Sequence, residues 1–251
     1  MNSTLFENQY DAVLFDLDGV LTPTAEVHAV CWKRLFDNFL KQYSKDTGIS
    51  YEPFDIQSDY REYVDGKPRY EGVESFLTAR NIDLPYEKDS SKNKTTVRSL
   101  GDRKDSYFEE LLAADGIVAY EGAVDLVLFL HDQGIKTAVV SSSRNCKKVL
   151  KAANLTGLFE TVMDGRVAEQ LHLAGKPEPD TFLKAAEQLG VEASRSVVVE
   201  DAIAGIQAGR KGKFGLVIGV AQAENASSLK ENGADIVVSN LVELLPSNQR
   251  T

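Results

Sequence analysis

A doubly wound α/β parallel sheet with an inserted helical domain is the fold this sequence predicts, and three observations predict it. Five short apolar runs recur along the chain: Ala12 to Phe15, Thr137 to Val140, Val197 to Val199, Leu216 to Val220 and Ile236 to Val238. Unbroken hydrophobicity, rather than alternation, is what strands covered on both faces require. Amphipathic stretches with helical spacing lie between the runs, and strand alternating with helix argues for a Rossmann-like parallel sheet. Finally, the chain between the first run and the second far exceeds the roughly dozen residues a crossover needs, so another domain is inserted there.

Taken in order, the first run ends abruptly in acids at Asp16 and Asp18. The insert then shows helical patterns at Ala25 to Gln42, Val73 to Arg80 and Arg103 to Ala113, separated by the polar stretches Tyr43 to Asp65 and Pro85 to Lys94. A small helical cap over residues 25–116 is expected, with boundaries near Thr24 and near Asp115 to Glu121, where Pro23 and Gly116 interrupt the patterns. The core domain is then discontinuous, residues 1–24 and 117–251. Its helices are expected at Gly122 to Gln133, Cys146 to Ala153, Pro179 to Leu189, Ala202 to Lys211 and Ala226 to Glu231. There is no internal repeat and no low-complexity tract.

With 251 residues and 43% hydrophobic content the chain can bury a substantial core. Its formal net charge of −10 supplies no general positive field, which argues against nucleic acid or an anionic membrane as partner. An anionic substrate would need a local positive potential from metal, lysine, arginine and backbone amides. The opening MNSTLFENQY lacks the basic segment and apolar run of a secretory signal, and no stretch is long enough to span a bilayer. Two cysteines, Cys31 and Cys146, suit a reducing cytosol, so a cytoplasmic location is expected.

In an open parallel sheet, ligands gather at the carboxyl ends of the strands. After the first run come Asp16 and Asp18, after the second Ser141-Ser142-Ser143-Arg144-Asn145, and after Val197 to Val199 come Glu200 and Asp201. Any one of these acids could be an ordinary turn or capping residue. Four carboxylates and a hydroxyl cluster converging on one rim, however, would repel one another unless a cation sits among them, and hard oxygen donors suit Mg²⁺ bound together with a phosphate.

Asp16-Leu17-Asp18-Gly19-Val20, the serine motif at Ser141, Lys176-Pro177 and Glu200-Asp201 resemble, in order and spacing, the four motifs of the haloacid dehalogenase superfamily. The β-phosphoglucomutase-like subfamily is the nearest resemblance, through Thr22 to His28, Ser141 to Asn145, Asn154 to Gly157 and Glu200 to Ala208. Pro23 stands where many relatives carry an acid, and the cap has extra residues around Tyr43 to Asp59.

The resemblance implies a phosphoryl-transfer enzyme acting on a phosphosugar. Asp16 would be the nucleophile that forms an aspartyl-phosphate, and Asp18 the general acid and base, its carbonyl also binding magnesium. Asp16, Asp18, Glu200 and Asp201 form the expected metal set, with Asp201 favoured over Glu200, which could act through water. Lys176, before Pro177, is expected to hold an extended backbone and reach outward with its ammonium. Ser141, Ser142, Ser143, Arg144 and Asn145 would bind phosphate or sugar, with capping roles for Ser143 or Asn145 left open. In the cap, Arg69 and Lys104 would hold the distal phosphate, though Lys67 or Arg103 could replace either. Thr24 and His28 fall at a hinge threonine and a histidine coupled to acid–base action. His131, His172, Cys31, Cys146 and Trp32 are assigned to packing or surface.

The implied reaction is isomerisation of β-glucose 1-phosphate to glucose 6-phosphate, with glucose 1,6-bisphosphate as intermediate and a monomeric protein. A sugar-phosphate phosphatase, or a non-catalytic phosphosugar-binding regulator, are the alternatives. Cap contacts decide between mutase and phosphatase.

Overall fold

The computed structural model describes residue 6 and residues 9–87, 95–221 and 223–247. The polar stretch expected from Pro85 to Lys94 lies outside the described residues from position 88 on, as do positions 1–5 of the opening segment. The chain divides into two compact units, Met1–Thr24 with Ile117–Thr251, and Ala25–Gly116.

The first unit is built on six parallel strands, β1 (Ala12–Phe15), β2 (Lys136–Val140), β3 (Thr161–Met163), β4 (Ser196–Glu200), β5 (Leu216–Val220) and β6 (Ile236–Val238). They run in the order β3-β2-β1-β4-β5-β6. β1 is fully buried and lies between β2 and β4, with Phe15 opposite Val139 on one side and Val199 on the other. Strand order reverses at the β1–β4 pair, and a doubly wound sheet opens its crevice at such a switch point. Helices α4 (Ala123–Asp132), α5 (Cys146–Ala152), α6 (Gly165–Gln170), α7 (Asp180–Leu189), α8 (Ile203–Lys211) and α9 (Ala223–Glu231) follow the strands. The core of this unit joins Leu14, Val140 and Val198 of the sheet to Phe182 and Ala185 of α7 and Ile206 of α8.

The five expected strands are present, each within a residue or two of its expected bounds. β3 and α6 were not expected: three residues of strand and six of helix carry too little periodicity to read. β3 is an edge strand, fixed by its pairing of Val162 with Val139 of β2, and α6 by the buried Asp164, whose carboxylate accepts the amides of Arg166 and Val167.

The second unit holds α1 (continuing from Thr24 to Thr47), α2 (Arg69–Ala79) and α3 (Val97–Asp115) around Trp32, Phe36, Phe54, Phe76 and Leu100. Each helix is longer than its apolar pattern suggested. α1 passes Gln42 because Gln42 bonds Asp46 one turn on, at 2.8 Å, and Tyr43 packs on Phe39. α3 starts at Val97 because Thr96 accepts the Ser99 amide while the Ser99 hydroxyl returns a bond to Thr96, a capping box. The polar stretch Tyr43 to Asp65 is not a plain loop, since a π-helix occupies Tyr60–Val64. No helix among the described residues is long and apolar enough to cross a membrane.

Candidate active site

The carboxyl ends of β1 and β4 place Asp16, Asp18, Glu200 and Asp201 together at the switch point. Asp16 follows β1 directly, its amide donating to Val199 O at 2.9 Å. Leu17 to Thr22 then curl tightly: the amides of Leu21 and Thr22 both donate to Leu17 O at 3.0 Å, and Gly19, at φ +93°, donates to Thr22 O at 2.8 Å. The turn brings the Asp18 amide within 2.8 Å of Asp16 Oδ2.

Lys176 is 1% exposed, so its ammonium turns inward rather than outward as expected. Its Nζ donates to Asp16 Oδ1 at 2.5 Å, to Glu200 Oε1 at 2.6 Å and to Val140 O at 3.0 Å. Three acceptors fill the three donors of an ammonium, which is how a buried lysine keeps its charge. Glu200 is fully buried, and its other oxygen accepts the amides of Asp201 and Ala202 at 3.0 Å each. Glu200, expected as a metal ligand or as one acting through water, is here paired with Lys176 and caps the turn that opens α8.

Two glycines that sequence reasoning did not single out make this packing possible. A Cβ on Gly19 would stand 1.9 Å from Asp201 Oδ2, and one on Gly205 would stand 1.8 Å from Glu200 Oε1. The sequence signal for the first is the Asp18-Gly19 turn; for the second it is a glycine inside a helix, which costs stability unless something approaches closely.

Burial pushes the Asp16 carboxyl up to about 8, with Glu200 and Asp18 adding to the rise and Lys176 opposing it. Burial also works against the charge on Lys176, but Asp16 and Glu200 outweigh it and hold the ammonium above the ordinary lysine value. A nucleophilic carboxylate must be ionised, so this arrangement calls for more positive charge than one lysine. Hard oxygen donors with an excess of negative charge fit Mg²⁺, which binds through one or two carboxylates plus substrate phosphate rather than through an all-protein cage. No group of three or more His, Cys, Asp or Glu among the described residues is arranged so that it could hold a metal ion by itself.

Asp18 is half-buried and held from two sides. Thr24 Oγ1 donates to its Oδ1, and Ser141 Oγ donates to its Oδ2 at 3.3 Å. Behind Thr24, the hydroxyl of Thr22 lies 2.7 Å away and donates to it, with Leu17 O a longer contact at 3.2 Å. Ser141 also accepts the Ser143 amide at 3.0 Å, and Ser143 accepts the Asn145 amide at 3.2 Å. Asn145 precedes α5 but its side chain does not cap it, so the hydroxyls shape this loop. The Ser142 carbonyl lies against Gly165, 2.5 Å from where a Cβ would be. Arg144 pairs with Glu169 of α6, and its carbonyl accepts Arg166 Nε at 2.9 Å.

In the second unit Lys104 is 5% exposed and donates to His28 Nδ1. An ammonium has no lone pair, so its hydrogen bond to His28 requires the ring nitrogen to accept. Phe108 stacks on the His28 ring at 4.2 Å, and the Lys104 ammonium lies 5.2 Å from the Trp32 ring. Trp32, expected merely to pack, thus also faces a charge. Arg69 pairs with Asp105 at 2.7 Å, and Lys67 donates to Ser75 at 2.9 Å. The sequence did not reveal Asp105 or Glu169 as partners of these arginines, because neither lies at helical spacing from its partner.

Comparison with known proteins adds an independent line. Residues 10–213 match the model of the haloacid dehalogenase-like hydrolases. A β-phosphoglucomutase from Mycobacterium bovis is 43% identical over 93% of this chain and 91% of its own length. One from Bacillus subtilis is 32% identical over 93% and 91%. A crystal structure of a β-phosphoglucomutase from Clostridium difficile superposes with a TM-score of 0.71 at 25% identity, covering 92% of each chain.

Proposed function

The chain belongs to the haloacid dehalogenase-like hydrolase family, and from that premise we propose that it is a magnesium-dependent β-phosphoglucomutase, converting β-glucose 1-phosphate to glucose 6-phosphate. The observation that carries the proposal is Asp16, buried at the sheet's switch point with Lys176 Nζ at 2.5 Å and the Asp18 amide at 2.8 Å. The 43% identity to a β-phosphoglucomutase over 93% of the chain narrows phosphoryl transfer to this reaction.

Asp16 attacks the substrate phosphorus and forms an aspartyl-phosphate, dividing one difficult transfer into two displacements. Lys176, Ser141 and the amides of the Asp18 turn offset the repulsion between a carboxylate and a phosphate dianion. Magnesium, held by Asp16, the Asp18 carbonyl and Asp201, would supply the remaining positive charge at the transferring oxygens. Asp18 protonates the leaving sugar oxygen and later takes the proton of the attacking hydroxyl. Glucose 1,6-bisphosphate joins the two halves of the cycle. Arg144 and Asn145 in the first unit and Arg69 and Lys104 in the second are the residues proposed to bind phosphate or sugar, which requires the ligand to take over from Glu169 on Arg144 and from Asp105 on Arg69. Thr24 and His28 couple binding to the acid–base step. The reading carries with it a cytoplasmic monomer.

A sugar-phosphate phosphatase is the second reading, favoured by the hydrolase description of the matching family model. The two differ in whether water or a sugar hydroxyl receives the phosphoryl group. A panel of hexose phosphates with magnesium, with and without a trace of glucose 1,6-bisphosphate, separates them. Glucose 6-phosphate should exceed free phosphate by at least about tenfold when the bisphosphate is present, and phosphate as the main product would establish the phosphatase. Asp16→Asn should abolish both products in a folded protein, a loss on the order of 10⁴ or more.

A further inference from the structure

We infer that Thr22 is a positioning residue for the acid–base step, fixing the hydroxyl of Thr24 and through it the Oδ1 side of the Asp18 carboxyl. The inference rests on the proposed role of Asp18 as general acid and base.

Thr22 is fully buried, where a hydroxyl without hydrogen bonds would cost about 1–3 kcal/mol and valine would fill the same volume. What occupies that hydroxyl is a chain leading to Asp18. Thr24 donates its one proton to Asp18 Oδ1, so the proton of Thr22 Oγ1 goes to Thr24 Oγ1 at 2.7 Å, with Leu17 O the longer contact at 3.2 Å. The Thr22 backbone is fixed as firmly, its amide donating to Leu17 O at 3.0 Å and its carbonyl accepting from Gly19 at 2.8 Å. It also bridges to Asp18 itself in parallel fashion. Thr22 is β-branched and stiff at χ1, so its oxygen is a fixed point from which the Thr24 rotor takes its direction. On the other side of Asp18, the Ser141 hydroxyl is a looser support at 3.3 Å.

The consequence is specific to proton transfer. As a carboxylate oxygen of Asp16 forms its bond to phosphorus, the bond from phosphorus to the sugar oxygen breaks. The electron pair stays on that oxygen, and the proton of the Asp18 carboxyl joins it. In the return half the Asp18 carboxylate takes the proton of the attacking hydroxyl. A leaving group that departs as a stable anion, such as p-nitrophenolate, needs no such proton. Misaligning Asp18 should therefore harm transfer from a sugar phosphate far more than transfer from an aryl phosphate.

The test compares wild type, Thr22→Val and Thr22→Ser on β-glucose 1-phosphate and on p-nitrophenyl phosphate under saturating magnesium. For Thr22→Val, kcat on the sugar phosphate should fall about tenfold or more with KM within about twofold, while the aryl phosphate rate falls no more than about threefold. Thr22→Ser, which keeps the hydroxyl, should recover most of the loss. The ratio of the two rates does not depend on how much protein is folded, so even a destabilised variant separates the outcomes. Equal losses on both substrates, no loss on either, or a serine variant as impaired as the valine would each overturn the proposal. A wild-type enzyme that releases p-nitrophenolate but converts no hexose phosphate would sink the mutase reading alone. Glycerol phosphate, whose alkoxide is as poor a leaving group, would then stand in for the sugar and decide the role of Thr22.

Discussion

A methyl group at position 205 has no room. Its carbon would lie 1.8 Å from Glu200 Oε1, 2.0 Å from Cδ and 2.5 Å from Cγ. A free side chain could step aside, but Glu200 is fully buried and bound to Lys176 and two amides. Gly205→Ala should therefore displace Glu200, leave Lys176 with one carboxylate fewer and shift the charge balance on Asp16. We expect kcat to fall at least about tenfold and stability by about 2 kcal/mol, measured by steady-state kinetics and urea unfolding. A variant with wild-type kcat would show that Glu200 has slack the packing does not reveal. At this scale the acids after the runs ending at Phe15 and Val199 were legible as neighbours, because those two strands lie side by side and end at one rim. The inward turn of Lys176 was not: the sequence places the residue before a proline but says nothing of three acceptors waiting behind it.

At the scale of elements, α3 shows how a local signal can be present and still go unread. The capping box uses Ser99 rather than the more familiar Glu or Gln at the third position, with Thr96 accepting its amide at 3.1 Å and the Ser99 hydroxyl accepting the Thr96 amide at 2.8 Å. Thr96→Ala should cost about 1 kcal/mol. Trp32 is the chain's single tryptophan and belongs to the core of the helical unit, so its fluorescence in a urea titration reports that unit directly. An unmoved midpoint would mean the helix start is held by packing of Val97 and Leu100 instead. The buried strands β1, β2, β4 and β5 were legible because strands covered on both faces leave unbroken apolar runs, and half-buried β6 was legible because its three residues, Ile236-Val237-Val238, are all apolar. β3 was not, since Thr161-Val162-Met163 opens on a polar residue and leaves too short an apolar run, so its identity as a strand comes from the neighbour it pairs with. Helix ends in the second unit ran past the apolar pattern for a related reason: polar one-turn bonds such as Gln42 to Asp46 extend a helix without adding a hydrophobic residue.

Over the whole molecule, the charge of −10 and the acids at the switch point act in one direction on an incoming phosphosugar. Many enzymes of anionic substrates carry a positive field that captures the ligand at long range, and salt slows them. Here the far field repels, and on the function proposed above attraction would begin only within a few ångströms of Lys176 and a bound metal. Screening shortens the repulsive reach from about 30 Å at 0.01 M salt to about 8 Å at 0.15 M, yet it leaves short, buried contacts such as the 2.5 Å Lys176–Asp16 pair almost untouched. Raising potassium chloride from about 10 mM to about 150 mM, with magnesium saturating at both, should therefore increase kcat/KM for the phosphosugar by about two- to fivefold. The change should sit in KM, because kcat reports groups already in contact. A fall in kcat/KM over that range would mean that a local positive surface reaches further than the net charge does, and the arginines at positions 69 and 144 would be the first to replace in locating it.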